Sequence, residues 1–228
     1  MAMIPRALLL SSILAVGATS AAAGVCGDDV GGERVPCACG DTVVAAARLQ
    51  RSDPIVGATC SGNGLVIDAA RDVESVTLDL AGFSIIGDSG GTGILVRDGG
   101  SEGAYVIGGP DGRPGQIAAF RVGVSARATR GIRGAANLIV SGNEQDGVRI
   151  AGRATVLSGI VADENGGSGI VARGRDHALD GVAARDNGHN DLRVSGNGNF
   201  VATDETTTSR SKARVTGRGN VVESEVQR

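Results

Sequence analysis

Tryptophan is missing from this chain of 228 residues, tyrosine occurs once (Tyr105), and phenylalanine occurs only at Phe83, Phe120 and Phe200. Sugar sites lean on aromatic platforms, and so do sites that stack single-stranded nucleic acid. The scarcity therefore counts against a strong glycan site and against nucleic acid. Uronates stay open as ligands, because arginine pairs hold carboxylates without rings. Lysine occurs once, at Lys212, against 21 arginines, a ratio that reads as the base composition of a GC-rich genome. The net charge is −3, with the arginines scattered along the chain among acidic residues. No basic stripe with interleaved aromatics emerges, which again argues against a nucleic-acid partner. No apolar run is long enough to span a bilayer. Calcium-binding GGxGxD repeats are absent; Asp88-Ser89-Gly90-Gly91 and Asp98-Gly99-Gly100-Ser101 read as ordinary turns.

What the chain does contain is a repeat. Asn143, Asn165 and Asn187 stand 22 residues apart inside LIVSGNEQDGVRI, IVADENGGSGIVA and VAARDNGHNDLRV. Superposed, the copies give apolar columns: Leu138, Ile160 and Val182; Val140, Ala162 and Ala184; Val148, Ile170 and Leu192; Ile150, Ala172 and Val194; then Leu157, Leu179 and Val201. Within each triplet the apolar positions are two apart, which is strand spacing. Strands of about three to four residues, bounded by Gly, Asn, Asp or Ser, stack on their own copies if the chain rises by one fixed step per repeat. That predicts an all-β parallel β-helix of about 22 residues per coil, with a narrow core of small aliphatic side chains.

The asparagine column predicts a ladder of amides bonded from coil to coil, with asparagine also taking the left-handed conformation of a tight corner. The pattern extends outward through Gly93-Ile94, Gly123-Val124, Arg214-Val215 and Asn220-Val221, with an insertion at Gly108 to Gly115. Thr42 to Leu49 fits either a strand or a short helix; the paired valines favour a strand.

The first residues read as an export signal: Arg6, the apolar stretch Ala7 to Val16, and an A-x-A site at Ala21 to Ala23. The mature chain would begin near Gly24 and be secreted or periplasmic. Four cysteines, Cys26, Cys37, Cys39 and Cys60, precede the repeats, and export makes disulfides the default. Of the three possible pairings, Cys26–Cys37 with Cys39–Cys60 is preferred; Cys37 and Cys39 are too close to bond each other comfortably. Zinc is a poor reading, since the spacing is C-x-C and the only histidines, His177 and His189, lie far downstream. The organisation expected is a signal peptide over 1–23, a Cys-rich cap over 24–62 that closes the open sheet edge, a β-helix over 63–222 and a polar tail over 223–228.

VTLDLAGFSIIG (Val76 to Gly87), GTGILV (Gly91 to Val96), CACGDTVV and CSGNGLVID join the asparagine coils in resembling the right-handed parallel β-helix proteins of the pectin-lyase-like superfamily. The likeness is to small secreted bacterial members with a Cys-rich start, and it covers most of Cys37 to Val222. It implies a right-handed coil. Pectate-lyase relatives would imply calcium held by aspartates and an arginine base. The candidates are Asp163, Glu164 and Asp186, with Arg173, Arg185 and Arg193 nearby. Glu164 and Asp186 share a column, at a separation suited to calcium or to a retaining glycosidase pair. As turn residues they are more simply solvated carboxylates. Polygalacturonase-like relatives would imply four motifs, none intact; Gly188-His189-Asn190 matches only part of a Gly-His-Gly, which leaves His189 as a surface turn residue. His177 falls at a turn–strand corner with a structural reading. Gly166 to Gly169 is a turn between strands.

One fold hosts many activities, so function has to come from the site. The expectation is a non-catalytic secreted β-helix with a structural or binding role at the cell surface or in the periplasm, polysaccharide being the candidate partner. The alternative is a minimal or degenerate polysaccharide lyase or glycoside hydrolase. An enzyme would gather Asp, Glu and Arg from three adjacent coils into one groove; a binding or structural module would show scattered charges on a flat flank.

Overall fold

The structure is a computed structural model that describes residues 23–69, 73–110, 112–127, 131–203 and 213–224. The segment read as an export signal therefore lies outside the described residues except for its last position, and so does most of the polar tail. Every regular element among the described residues is a strand. β1 (Val25–Val30) and β2 (Glu33–Val35) form an antiparallel pair at one end. The chain then passes through units of two or three strands. The first is β3 (Thr42–Val43), β4 (Ala46–Arg48) and β5 (Thr59–Cys60). Next come β6 (Leu65–Asp68), β7 (Thr77–Asp79) and β8 (Ser84–Gly87), then β9 (Thr92–Asp98), β10 (Ala104–Ile107) and β11 (Gly115–Ala118). The remaining units are β12 (Val122–Ala126) with β13 (Ile132–Ser141), β14 (Val148–Arg153) with β15 (Val156–Asp163), β16 (Ile170–Arg175) with β17 (Ala178–Arg185), β18 (Leu192–Asn197) with β19 (Phe200–Thr203), and β20 (Arg214–Thr216) with β21 (Val221–Ser224).

The first strand of each unit joins one sheet, in the order β2-β1-β3-β6-β9-β12-β14-β16-β18-β20, and the later strands join a second. All pairings except β1–β2 are parallel. Val148 pairs with Ile170 and Ile170 with Leu192; Ile150, Ala172 and Val194 pair likewise. In the second sheet Val140, Ala162 and Ala184 align, as do Leu157, Leu179 and Val201. These columns are buried and join one apolar core running from Cys26 to Val201. Each fully buried Val, Ile or Leu contributes about 1.5–3 kcal/mol.

β2 to β8 keep to two to four residues, but several later strands are longer than expected: β13 spans 10, and β15 and β17 span 8. The reason is a left-handed residue inside each one, Asn137 (φ 55°), Gly159 (φ 58°) and Gly181 (φ 56°). It turns the chain, and the pairing among β13, β15 and β17 resumes in the same register beyond it, so one strand covers two sides of the repeat. Earlier the same bend is opened by the stretch from Gly108 to Gly115, and β10 and β11 on either side of it both pair with β13.

Thr42 to Leu49 contains the strands β3 and β4 and no helix. Its strands, with β5, enter the same two sheets as the later units, so the stacking begins before residue 63. Disulfides join Cys26 to Cys37 and Cys39 to Cys60. Asp53, 1% exposed, completes this end: it accepts from Arg34 Nη2 at 2.7 Å, Gln50 N at 2.7 Å and Cys37 N at 3.2 Å.

Candidate functional site

Two corners of each unit are built the same way. A residue in the left-handed region is followed by a side chain that turns inward and serves the unit before it. At one corner the left-handed residues are Gly142 (φ 63°), Glu164 (φ 55°) and Asp186 (φ 56°), and the inward residues are Asn143, Asn165 and Asn187. Asn143 Nδ2 donates to Asn165 Oδ1 at 2.9 Å, and Asn165 Nδ2 to Asn187 Oδ1 at 3.0 Å. The same oxygens accept the backbone N–H of Asn143 and Asn165. Asp191 Oδ1 ends the series by accepting Asn187 N and Nδ2. The left-handed conformation therefore sits one residue ahead of each asparagine, and the expectation that asparagine itself adopts it is corrected.

That correction explains Glu164 and Asp186. Both are exposed corner residues whose backbone makes the turn. Asp163 pairs instead with Arg185 of the next unit, Oδ2 to Nε at 2.9 Å. His189 is exposed, and its backbone N–H donates to Gly167 O at 2.8 Å. Among the described residues no group of three or more His, Cys, Asp or Glu side chains is placed to hold a metal ion. The expectation that the chain has no G-x-S-x-G spacing is corrected, since Gly87-Asp88-Ser89-Gly90-Gly91 has it; exposed Ser89 (φ 75°) lies after strand β8 and before β9 with no helix following, so the turn reading of Asp88 to Gly91 stands.

A different set of residues converges. On the outward side of the first sheet, Leu95, Ser125, Arg149, Val171, Arg193 and Arg214 form one column by register. Arg173 stands beside it, aligned with Ala151. Arg97, Arg121, Arg127, Arg173, Arg193 and Arg214 are exposed, and Arg149 is half-buried. Residues scattered in sequence are collected on one face because they fall on outward positions of successive stacked strands, ~4.8 Å apart. Arginines scattered along the chain are thus gathered in space, which removes the lack of a basic stripe as a ground for excluding nucleic acid.

Within this face an open groove of ≈ 350 Å³ is lined by Arg127, Asp146, Arg149, Ile150, Ala151 and Arg173, from three adjacent units. It continues past Arg127 and Arg149 into a second hollow of ≈ 570 Å³ that adds Asn63, Arg121, Ser125 and Gln145. Asp146 is tied down: Oδ2 accepts Arg149 Nε and Nη2, each at 2.7 Å, and Oδ1 accepts Ser168 N at 2.9 Å. The clamp orients Arg149. Arg127 and Arg173 face the groove as planar five-donor forks, suited to carboxylate, sulfate or phosphate. Of its charged residues only Arg173 was singled out from the sequence; the register of the strands assembles the rest.

On the other side of the repeat, His177 is 1% exposed and occupies the inward position at the second corner, after Asp176 (φ 58°). Burial lowers its pKa below the ordinary histidine value, against smaller raising effects of its bond to the Arg173 carbonyl and of Asp176. No family model matches the chain, and neither a curated protein nor a solved structure matches it.

Proposed function

We propose that the protein is a secreted, non-catalytic binding module wound as a right-handed parallel β-helix like those of the pectin-lyase-like superfamily, and that its arginine face holds an acidic polysaccharide. The observation that carries the reading is the convergence of Arg127, Arg149 and Arg173 from three adjacent units on one groove. The parallel pairing of equivalent strands supports the coil, and the strong preference of parallel crossovers for the right hand supports its sense. Two disulfides support export to an oxidising compartment. No helix among the described residues is long and apolar enough to cross a membrane. The groove has one carboxylate, already clamped, and so lacks the second acid of a hydrolase pair. Its lining also lacks an aromatic platform, which favours a saccharide polyanion over single-stranded nucleic acid.

Titration with carboxylated, sulfated and neutral polysaccharides and with single-stranded DNA tests this. Binding to the acidic polysaccharides should weaken steeply with salt. The double variant Arg127→Ala/Arg173→Ala should bind about tenfold more weakly or worse, as loss of charge-assisted contacts requires. Equal binding to the neutral polymer, or preference for DNA, overturns the reading. A second reading, a polysaccharide lyase, is favoured by the presence of Asp146 beside three arginines; ultraviolet absorbance of unsaturated product during incubation with acidic polysaccharide, lost in Arg173→Ala, would establish it.

A further inference from the structure

The second corner carries a polar column of its own: Thr155, His177, Asn199 and Asn220, each after a left-handed residue, Ala154 (φ 55°), Asp176, Gly198 (φ 67°) and Gly219 (φ 64°). Asn220, Asn199 and His177 each offer an acceptor to the backbone N–H of the unit before, whereas the Thr155 hydroxyl donates to Ile132 O at 2.9 Å. Asn220 Oδ1 accepts Asn199 N at 2.9 Å, Asn199 Oδ1 accepts His177 N at 3.0 Å, and His177 Nδ1 accepts Thr155 N at 3.3 Å. The ring's other nitrogen, Nε2, lies 3.2 Å from the carbonyl oxygen of Arg173. A backbone N–H only donates and a carbonyl only accepts, so these neighbours fix the neutral tautomer with the proton on Nε2.

We propose that His177 is a proton-sensitive joint between successive units of the stack. The amide oxygens at the equivalent positions keep their acceptor at every ordinary pH. The imidazole does not: a proton on Nδ1 turns the acceptor into a donor aimed at the Thr155 N–H, and that buried contact becomes repulsive. The ring packs closely against the backbone of Gly174, where an added Cβ would stand 3.0 Å from Nε2. The charged residues on the segments around the ring are Asp176 in its own turn, Arg173 and Arg175 on β16, and Arg153 at the end of β14, which pairs with Arg175. Burial opposes the imidazolium, while the bond to the Arg173 carbonyl and the charge of Asp176 favour it; the three arginines are exposed.

The sign follows from linkage. The folded chain holds His177 neutral to lower pH than the unfolded chain does, so the unfolded chain binds the extra proton first. The joint is at full strength above the unfolded histidine value near pH 6.5, and weakens as the pH falls from there toward the lowered folded value. The inference rests on backbone geometry and is independent of the polysaccharide reading.

The test compares the full chain with His177→Asn, which restores the amide acceptor of the neighbouring units. Protection of the Thr155 amide, corrected for intrinsic exchange, should fall about tenfold between about pH 7.5 and about pH 5 in the parent and stay nearly constant in the variant. The urea midpoint should show the same difference in pH slope. Equal pH slopes in the two proteins overturn the proposal. So does a nitrogen-15 spectrum of the parent that shows the Nδ1–H tautomer at neutral pH, a measurement that needs no variant.

Discussion

At the scale of single residues, adjacent positions have opposite roles. Asn165 is 1% exposed and supplies the acceptor for both Asn143 N–H groups, while donating to Val140 O and Asn187 Oδ1. Asn165→Ala leaves buried donors without partners and should cost about 2–4 kcal/mol in urea unfolding. Glu164, next to it, bends the backbone at φ 55° with its side chain exposed. Glu164→Gly removes a left-handed penalty of about 1 kcal/mol or more, part of which is returned as glycine entropy in the unfolded chain; the variant should be as stable as the parent or slightly more so. Undiminished polysaccharide binding by Glu164→Gly would also mark Glu164 as no part of the site. Asparagine periodicity was visible in the sequence because every copy keeps the residue. The left-handed position was not, since Gly142, Glu164 and Asp186 share a conformation without sharing chemistry. The corner position of His177 was legible, but its column was not, for a related reason: its partners Thr155 and Asn199 are equivalent by place and dissimilar by type.

At the scale of strands, a column of glycines, Gly152, Gly174, Gly196 and Gly217, stands near the ends of β14, β16 and β18 and just after β20, with φ between 124° and 142°. A Cβ on Gly196 would lie 1.6 Å from the Gly174 carbonyl oxygen, which is backbone and cannot move aside alone. Gly196→Ala should therefore force adjacent strands apart and destabilise the chain by several kcal/mol, of the order seen for severe overpacking (about 3 kcal/mol or more). Gly142→Ala meets nothing within 4 Å and bears only the conformational penalty, about 1–2 kcal/mol. Thermal unfolding of the two variants side by side checks the contrast. Strand positions and apolar columns were legible from period-two spacing within a 22-residue repeat. Strand lengths were not: Gly159, Gly181 and Asn137 look like ordinary turn residues, yet each bends a continuous strand.

At the scale of the whole molecule, the charged face exists only as a product of stacking. Arg127, Arg149 and Arg173 are 22 and 24 residues apart in the chain, so no sequence window contains the groove. A net charge of −3 hides it further. The uniform register has a practical corollary. Val171 already occupies the place of Arg149 one level higher, so excision of residues 149–170 would splice Val148 to Val171 and leave every remaining file of side chains in step. Asn143 would meet Asn187 directly, and Asp191 would still terminate the series. The shortened protein should unfold cooperatively with a smaller urea slope, in proportion to the surface lost. Length in such a chain is a quantity that recombination can change in whole steps, as links are removed from a watch strap.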